Sequence, residues 1–310
     1  MKKPIKIIMA SPRGFCAGVD RAIEIVKTAL VKYGAPIYVR HQIVHNKYVV
    51  EELESLGAIF VKSIDEVPND AWVVFSAHGV AEKVEAKARL RGLAYIDAAC
   101  PLVLKVHNQG QRAAKNNREV ILIGHAGHPE VEGTLGRIHG KTYLVANVED
   151  VNAIEVTSPD SLSYLTQTTL SVDDTRDIIS ALKSRFPNIE GPDLDDICYA
   201  TQNRQTAARN VAKMVELMLV IGGKNSSNSN RLCEIGKSEG IPSYLIDDAS
   251  MIDSAWLDGV SAIGITAGAS APEVLVEGVV DRIKQFGETS IETLSGIEES
   301  MTFNLPKILK

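Results

Sequence analysis

The feature that most constrains the fold of this chain is a unit that recurs three times. In each unit a cysteine precedes a helix-like segment, a short apolar run follows, and polar residues come directly after that run. The first such polar residue lies 29, 28 and 28 residues beyond its cysteine, and the one after the next run lies 62, 68 and 72 residues beyond it. The three sets are Cys16 with His45 and His78, Cys100 with His128 and Thr168, and Cys198 with Ser226 and Ser270. Two matching spacings over three units indicate a structural repeat, although residue identity between the units is low.

Short apolar runs alternate along the chain with segments whose apolar residues recur at spacings of three and four. The runs predicted as strands are PIYV, AWVVFSA, LAYIDA, EVILIG, LSYLTQ, LMLVIGG and SAIGITAG. The segments predicted as helices include HNKYVVEELESLG, DDTRDIISALKSRF and PEVLVEGVVDRIKQFG. A weaker strand, DLDDI, is expected just before Cys198. The alternation predicts an α/β fold with mainly parallel sheets.

From the repeat we expect three α/β domains related by a pseudo-threefold axis. The expected boundaries are 14–98 for the first domain, 99–194 for the second and 195–290 together with 1–13 for the third, followed by a C-terminal tail at 291–310. Ligands of open parallel sheets bind beyond the carboxyl ends of the strands, where helices begin and their N–H groups favour anions. Packing around the axis would therefore bring three strand ends to one point.

The three matched cysteines are the candidate metal ligands. A thiol at a helix N-terminus is biased toward thiolate, which is the form that binds metals. Three thiolates on one axis can hold zinc or an iron–sulfur cluster. A cubane cluster with only three protein ligands keeps one iron open, and an open metal is a Lewis acid. Cys233 has no counterpart in the other units, and we expect it to be a small buried hydrophobic residue.

Polar residues at the strand ends are expected to surround the thiols. They are His45, His78, His128, Thr168, Ser226, Ser227, Asn228 and Ser270. The run NSSNSN at 225–230 suits a phosphate, since it offers hydroxyls, amides and backbone N–H groups. Glu130 is the candidate proton donor, provided that its pKa is raised. We expect capping or core roles for His41, His107, His125 and His139, although His41 and His125 lie close enough to the expected site to support its ligands.

Composition excludes several classes of function. The net charge is −6 and no block of basic residues occurs, which argues against nucleic acid and anionic membranes as partners. No apolar run is long enough for a transmembrane helix. Four scattered cysteines do not form a disulfide scaffold and are typical of a reducing cytoplasm. Because no dinucleotide-binding motif occurs, electrons for a redox reaction are expected from another protein.

Many long motifs, in order from about residue 5 to about residue 285, resemble one family. They are PRGFCAGVDRA, RHQIVHN, FSAHGV, DAACPLVLKVH, GHAGHPEVEGT, TQTTLSVDDT, DDICYATQNRQ, GKNSSNSNRL and TAGASAPE. The family is that of the 4-hydroxy-3-methylbut-2-enyl diphosphate reductases, which carry out the last step of the non-mevalonate isoprenoid pathway. The tail from about Ser295 adds nothing to the resemblance.

The resemblance implies three α/β domains around a [4Fe–4S] cluster whose ligands are Cys16, Cys100 and Cys198. It implies that the substrate diphosphate is held by His45, His78, His128, Ser226, Ser227, Asn228 and Ser270. Glu130 and Thr168 would serve the substrate hydroxyl and its protonation, with His128 beside them among the catalytic residues. Histidines next to a dianion are expected to be wholly or partly protonated.

The implied reaction is a reductive dehydroxylation, in which two electrons and two protons remove an allylic hydroxyl as water. The products are isopentenyl diphosphate and dimethylallyl diphosphate. The implied electron donor is ferredoxin or flavodoxin, and the implied location is the cytoplasm. Two alternatives from other classes stay open. One is a zinc hydrolase of phosphorylated substrates, and the other is a non-enzymatic iron–sulfur sensor, which would not need the donors at 226–228 and 270.

Overall fold

The structure is a computed structural model that describes residues 4–310, and these form twelve β-strands and ten α-helices. The strands are β1 (Ile5–Met9), β2 (Ile37–Arg40), β3 (Ala58–Val61), β4 (Trp72–Phe75), β5 (Ala94–Asp97), β6 (Glu119–Ile123), β7 (Thr142–Val145), β8 (Leu162–Thr166), β9 (Leu217–Ile221), β10 (Ser243–Ile246), β11 (Ala262–Ala267) and β12 (Thr289–Thr293). The helices are α1 (Ala17–Tyr33), α2 (Lys47–Ser55), α3 (Glu82–Leu90), α4 (Pro101–Lys115), α5 (Pro129–Leu135), α6 (Val148–Ala153), α7 (Val172–Arg185), α8 (Tyr199–Ala212), α9 (Ser227–Ser238) and α10 (Glu273–Lys284).

Two strands that consist mainly of consecutive apolar residues are buried along their whole length. β6 reads EVILI and β9 reads LMLVI, and every residue of both strands is buried. Burial on both faces is typical of parallel sheets that helices cover on both sides. All the strand pairs recorded for residues 4–310 are parallel.

By their contacts the described residues fall into two compact units. The first unit comprises residues 4–19, 45–51 and 199–302, and it contains a five-stranded sheet in the order β10-β9-β11-β1-β12. The second comprises residues 20–44, 52–198 and 303–310, and it contains a four-stranded sheet, β3-β2-β4-β5, and a three-stranded sheet, β7-β6-β8. The predicted α/β class with parallel sheets is confirmed, whereas the boundaries of the three domains stay a prediction.

Strand β1 shows how the first unit builds its core on both faces of the sheet. Ile7 and Met9 pack on one face with residues of α10, while Ile8 packs on the other with Val211 of α8. Side chains alternate across a strand, so a single apolar strand can serve two cores. In the second unit, Tyr164 of β8 is fully buried in a separate core beneath α7.

The structure corrects two local predictions. The segment DLDDI forms a turn rather than a strand, and Asp193 within it has a φ of 50°. A hydrogen bond from Lys183 to the Asp193 carboxylate holds that turn on the protein surface. The predicted tail at 291–310 contributes its first residues to β12, which pairs with β1 at the edge of the sheet. β12 escaped prediction because its residues are mostly exposed and carry no apolar run.

Within residues 4–310, no helix is long and apolar enough to cross a membrane.

Candidate active site

The three matched cysteines lie at the N-termini of helices. Cys100 is the N-cap residue of α4, with Pro101 in the first turn, while Cys16 and Cys198 directly precede α1 and α8. All three are partly exposed thiols. The N–H groups and the partial positive charge at a helix N-terminus stabilise a thiolate. The predicted placement of the three thiols at helix N-termini is therefore present in the structure, although Cys198 follows a turn rather than a strand.

Two of the cysteines are hydrogen-bonded through their backbones to the strand-end segments that carry predicted donor residues of the second unit. The N–H of Cys100 donates to the carbonyl of Ala77, which precedes His78, at 2.9 Å. The N–H of Cys198 donates to the carbonyl of Thr168 at 3.0 Å. A shift of either strand end would therefore move a thiol as well.

The chemistry of this donor set matches that of an iron–sulfur cluster. Cysteine thiolates are the usual protein ligands of such clusters. Within residues 4–310, no three His, Cys, Asp or Glu side chains lie close enough together to hold one metal ion. A cubane cluster does not need its ligands to surround a single ion, because each thiolate binds its own iron atom. Thiols at three helix N-termini meet that chemical requirement.

Glu130 lies at the start of α5, buried against the end of β8. Its Oε1 accepts a hydrogen bond from the N–H of Thr168 at 2.6 Å, and its Oε2 accepts one from Thr168 Oγ1 at 3.0 Å. Burial raises the pKa of Glu130 to about 7, although the bonds from Thr168 oppose the shift. A carboxyl group with this pKa holds a proton in a substantial fraction of molecules at neutral pH, as a general acid requires.

Asp196 contributes to the electrostatics of Glu130, and the sequence analysis missed it. The side chain of Asp196 is fully buried, and Lys105 Nζ lies 3.5 Å from its Oδ1. The negative charge of Asp196 adds to the rise in the pKa of Glu130. The residue belongs to the DLDDI segment, and the only signal that could have revealed it was an acidic run where a buried strand was expected.

His128 and His78 lie together beside Glu130. Their rings meet edge to face, with centroids 5.8 Å apart. His128 is the N-cap residue of α5, where its Nδ1 accepts a hydrogen bond from the N–H of Glu130 at 3.1 Å. The Nδ1 of His78 lies 3.3 Å from Ser76 Oγ. Two of the predicted anion ligands are thus held next to the predicted acid.

The first unit holds His45 in a similar way. The Nδ1 of His45 lies 3.3 Å from Asn225 Nδ2, which can only donate. Nδ1 of His128 likewise lies against a donor, the N–H of Glu130, so each of the two rings has a partner at Nδ1 within its own unit. That histidines are protonated beside a bound diphosphate stays a prediction. Asn225 was missed as a partner of His45, although it opens the NSSNSN run.

The predicted phosphate-binding loop, NSSNSN at 225–230, follows strand β9 of the first unit's sheet. Ser226 is the N-cap residue of α9, and its Oγ accepts a bond from the N–H of Ser229 at 3.2 Å. Ser270 Oγ donates to the carbonyl of His45 at 3.0 Å. The structure thus brings the polar strand-end residues of this unit together.

Asn228 is the residue of this loop whose side chain is best placed to donate a hydrogen bond to a ligand. Its side chain is buried, and its Oδ1 accepts a bond from the N–H of Ala269 at 3.0 Å. Its Nδ2 is buried and has no hydrogen-bond partner among residues 4–310. A buried donor without a partner is costly, so its retention points to a ligand that accepts the bond.

His107 and Cys233 are buried as expected, whereas His139, expected to be a capping or core residue, lies on the surface. His107 is buried in the core, and burial lowers its pKa to about 4. His139 is exposed and pairs with Glu82 at 2.6 Å. Cys233 is buried, donates to the carbonyl of Ser243 at 3.2 Å, and has a pKa that burial raises. His125 donates its backbone N–H to Gln167 Oε1 at 3.2 Å, and burial lowers the pKa of His41.

Comparisons with known proteins show the family to which the chain belongs. A family model described as LytB protein matches residues 7–284. The chain is 60% identical over 300 residues to 4-hydroxy-3-methylbut-2-enyl diphosphate reductase 1 of Rhodopseudomonas palustris, which covers 97% of this chain and 98% of that protein.

Solved structures give the same result. The fold is similar to that of the E-1-hydroxy-2-methyl-but-2-enyl-4-diphosphate reductase from Plasmodium falciparum, with a TM-score of 0.94, 38% identity and coverage of 99% of this chain and 97% of that one. A structure titled as (E)-4-hydroxy-3-methyl-but-2-enyl diphosphate reductase, the terminal enzyme of the non-mevalonate pathway, matches with a TM-score of 0.64, 32% identity and coverage of 91% of this chain and 99% of that one. The resemblance noted in the motifs is confirmed, and the chain belongs to the LytB protein family.

Proposed function

We propose that this protein reduces (E)-4-hydroxy-3-methylbut-2-enyl diphosphate to isopentenyl diphosphate and dimethylallyl diphosphate. The overall reaction takes two electrons and two protons, breaks the allylic carbon–oxygen bond and releases water. The observation that carries the proposal is the buried Glu130–Thr168 pair, because it supplies an acid of suitable pKa beside a group of neutral donors. The relatives at 60% and 38% identity, each named as this reductase, support it.

We infer that Cys16, Cys100 and Cys198 hold a [4Fe–4S] cluster. When bound, such a cluster supplies electrons one at a time and a Lewis-acid iron that has no protein ligand. Family membership supports this inference over a mononuclear zinc hydrolase. The donors at 226–228 and 270, which a sensor would not need, support a substrate role over a purely sensing one.

The diphosphate is proposed to bind the donors that the strand ends present. An imidazole ring can donate a hydrogen bond to a diphosphate oxygen from a ring N–H. Asn228 Nδ2 adds an amide donor, and the N-terminus of α9 adds N–H groups and a partial positive charge. The complete proposed set is His45, His78, His128, Thr168, Ser226, Ser227, Asn228 and Ser270.

The proton is proposed to travel from Glu130 through Thr168. With Glu130 ionised, the Thr168 hydroxyl donates to its Oε2. Protonation of Oε2 reverses this hydrogen bond, because the carboxyl group then donates and the Thr168 oxygen accepts. The hydroxyl hydrogen of Thr168 then points toward the substrate hydroxyl. As this hydrogen passes to the substrate oxygen, which leaves as water, the Glu130 proton moves to the Thr168 oxygen, so that Thr168 is restored and Glu130 is left ionised. His128 caps the helix that carries Glu130 and so helps to fix the position of the acid.

Partners and location follow from the chemistry. A one-electron donor protein, ferredoxin or flavodoxin, is proposed as the source of electrons, since no dinucleotide-binding motif occurs in the chain. We place the protein in the cytoplasm, where thiols stay reduced. The division into three domains at 14–98, 99–194 and 195–290 with 1–13 is proposed as the frame that presents the three thiols.

One experiment tests this function directly. Anaerobically purified protein is incubated with the allylic diphosphate and a one-electron chemical reductant, and the products are separated. We expect both isopentenyl and dimethylallyl diphosphate, together with a broad brown absorption and equal iron and sulfide contents. A colourless zinc protein that hydrolyses the diphosphate would contradict the proposal.

A further inference from the structure

The last residues of the chain, 294–310, lie outside the part that the family model matches, which ends at residue 284. We call them the C-terminal segment. Leu294 N donates to the carbonyl of Met9 at 3.0 Å, so the segment continues alongside β1. At Gly296 a Cβ would lie 1.8 Å from the carbonyl oxygen of Ser11, which only glycine permits. The segment is therefore packed tightly against the loop that leads to Cys16.

A buried arginine connects this segment to that loop. Arg204 of α8 is fully buried. Its guanidinium donates to the carbonyls of Gly14 and Phe15, both at 2.9 Å, and these are the two residues before Cys16. The same guanidinium pairs with Glu299 of the C-terminal segment at 2.9 Å.

Glu299 completes the binding of this guanidinium. Its two oxygens accept bonds from Nη1 and Nη2 of Arg204, and Asn203 Nδ2 donates to its Oε1 at 2.9 Å. Only 14% of the Glu299 side chain is exposed. A buried charge that loses its partner is strongly destabilising, so the position of Arg204 depends on Glu299. The carbonyls before Cys16 depend on it in turn.

The same segment reaches the loop before Cys100 through a second arginine, in the second unit. Arg21 of α1 donates from Nε to the carbonyl of Asn304 at 2.9 Å. Its Nη1 donates to the carbonyls of Ala98 and Ala99 at 3.3 and 3.0 Å. Ala98 and Ala99 directly precede Cys100. Each arginine thus joins the C-terminal segment to the two residues before a cysteine.

We propose that the C-terminal segment is a brace for two ligand loops, each within its own unit. Glu299 fixes the loop before Cys16 in the first unit, and the carbonyl of Asn304 fixes the loop before Cys100 in the second. Glu299, Arg204 and Arg21 are its positioning residues, since none of them is a ligand or a reacting group. The proposal rests on the cluster assigned above. It gives a role to a part of the chain that the motifs leave without one.

The first test measures amide hydrogen exchange at residues 14–17 in protein from which the cluster has been removed. In Glu299→Ala, exchange at these amides should be at least about tenfold faster than in the unaltered chain, because Arg204 loses its buried partner. Glu299→Gln keeps hydrogen-bonding oxygen and nitrogen atoms, so its exchange rate at these amides should lie between the rates of Glu299→Ala and the unaltered chain. The matched control is Glu239→Gln, which removes another carboxylate that pairs with α8, through Arg209 at 3.4 Å, but touches no cysteine loop.

The core of β9 provides the reference within each sample. Exchange at residues 219–221 should be the same in Glu299→Ala and in the unaltered chain. Equal acceleration at 14–17 and at 219–221 would mean a general loss of stability and would overturn the brace. So would unchanged exchange at 14–17 in Glu299→Ala.

The second test uses the loaded protein and follows the release of iron to a chelator by the loss of visible absorption. Glu299→Ala and Arg21→Lys should each release iron at least about tenfold faster than the unaltered chain and Glu239→Gln, because a loosened loop lets its thiolate leave the iron. Release at the unaltered rate in both variants would overturn the brace. If the unaltered chain takes up no cluster, the proposed function fails, while the exchange measurement still reports whether the segment holds the loop.

Discussion

Both oxygens of the Glu130 carboxyl group are bound by one residue, Thr168, through its backbone N–H at 2.6 Å and its hydroxyl at 3.0 Å. This double attachment fixes the carboxyl group on α5 to the end of β8. The backbone bond holds the acid in place whatever its protonation state, and the hydroxyl bond can reverse. The carboxyl group is therefore held in a fixed position while its proton can move. Delivery of a proton to a bound hydroxyl needs both properties.

The first prediction concerns the cysteines. Changing Cys16, Cys100 or Cys198 to Ser should remove most of the iron and the activity together, because serine is a poor cluster ligand. Cys233→Ser should keep both, since a hydroxyl can make the same bond to the carbonyl of Ser243. Iron analysis and the visible spectrum check this. Loss of the cluster in Cys233→Ser would show that the ligand set is misassigned.

The second prediction concerns Asn228. Asn228→Ala removes the buried Nδ2 donor and should weaken substrate binding by about 10- to 100-fold, the range expected for a hydrogen bond to a charged group. Asn228→Asp keeps the bond to Ala269 but sets a negative charge against the diphosphate, so it should weaken binding further. Calorimetric titration with substrate checks both variants. Unchanged affinity in Asn228→Asp would place the diphosphate elsewhere.

The third prediction concerns the pH dependence of stability. The pKa of Glu130 rises from 4.5 to about 7 on folding, so between these values the folded chain holds a proton that the unfolded chain has lost. The free energy of unfolding should therefore fall as the pH rises through this window, by on the order of 3 kcal/mol from this residue.

The comparison for this prediction is Glu130→Gln, which cannot ionise. Denaturant titrations at several pH values should show the unaltered chain losing stability relative to the variant between about pH 4.5 and 7. If the free energies of unfolding of the unaltered chain and of Glu130→Gln changed in parallel across that window, Glu130 would not keep its proton in the folded state.

The fourth prediction concerns the turn that follows His78. Gly79 has a φ of +75°, and an added Cβ would lie 2.7 Å from Cε1 of the buried His107 ring. Gly92 has a similar φ of +65°, but nothing lies within 4 Å of its Cβ position. Both Ala variants carry the backbone strain, so Gly79→Ala should cost about 1–3 kcal/mol more than Gly92→Ala through overpacking. Equal unfolding midpoints of the two Ala variants would show that the His107 ring does not limit the space beside Gly79.

The regular elements could be predicted because burial leaves a pattern in the sequence. β6 and β9 are runs of apolar residues, and the helices α2, α7 and α10 carry apolar residues at spacings of three and four. The exposed edge strand β12 leaves no such pattern, since hydrogen bonds to β1 rather than side-chain burial hold it. Backbone pairing of this kind depends on residues nearly three hundred positions apart.

The candidate site could be predicted in its residue types but not in its internal contacts. The spacing of cysteines and polar residues indicates which side chains lie at strand ends. It does not show that Asp196 adds to the pKa of Glu130, or that Arg204 binds the carbonyls before Cys16. These contacts join residues that lie far apart in the sequence. An acid in a polar run and an arginine in a helix are both typical of an exposed surface, so the sequence gives no sign that they are buried.

The measurement that tests the central claim most directly is the turnover of Glu130→Gln with a one-electron chemical reductant, made on protein whose cluster content is verified. The amide keeps the shape of the side chain and removes the acid, and a positioned general acid contributes about 10²–10⁴-fold to rate. We predict unchanged cluster absorption, an unchanged spectral shift on adding substrate, and turnover at least about 100-fold slower. Near-normal turnover with an intact cluster would contradict the account, because the proton would then reach the substrate without Glu130.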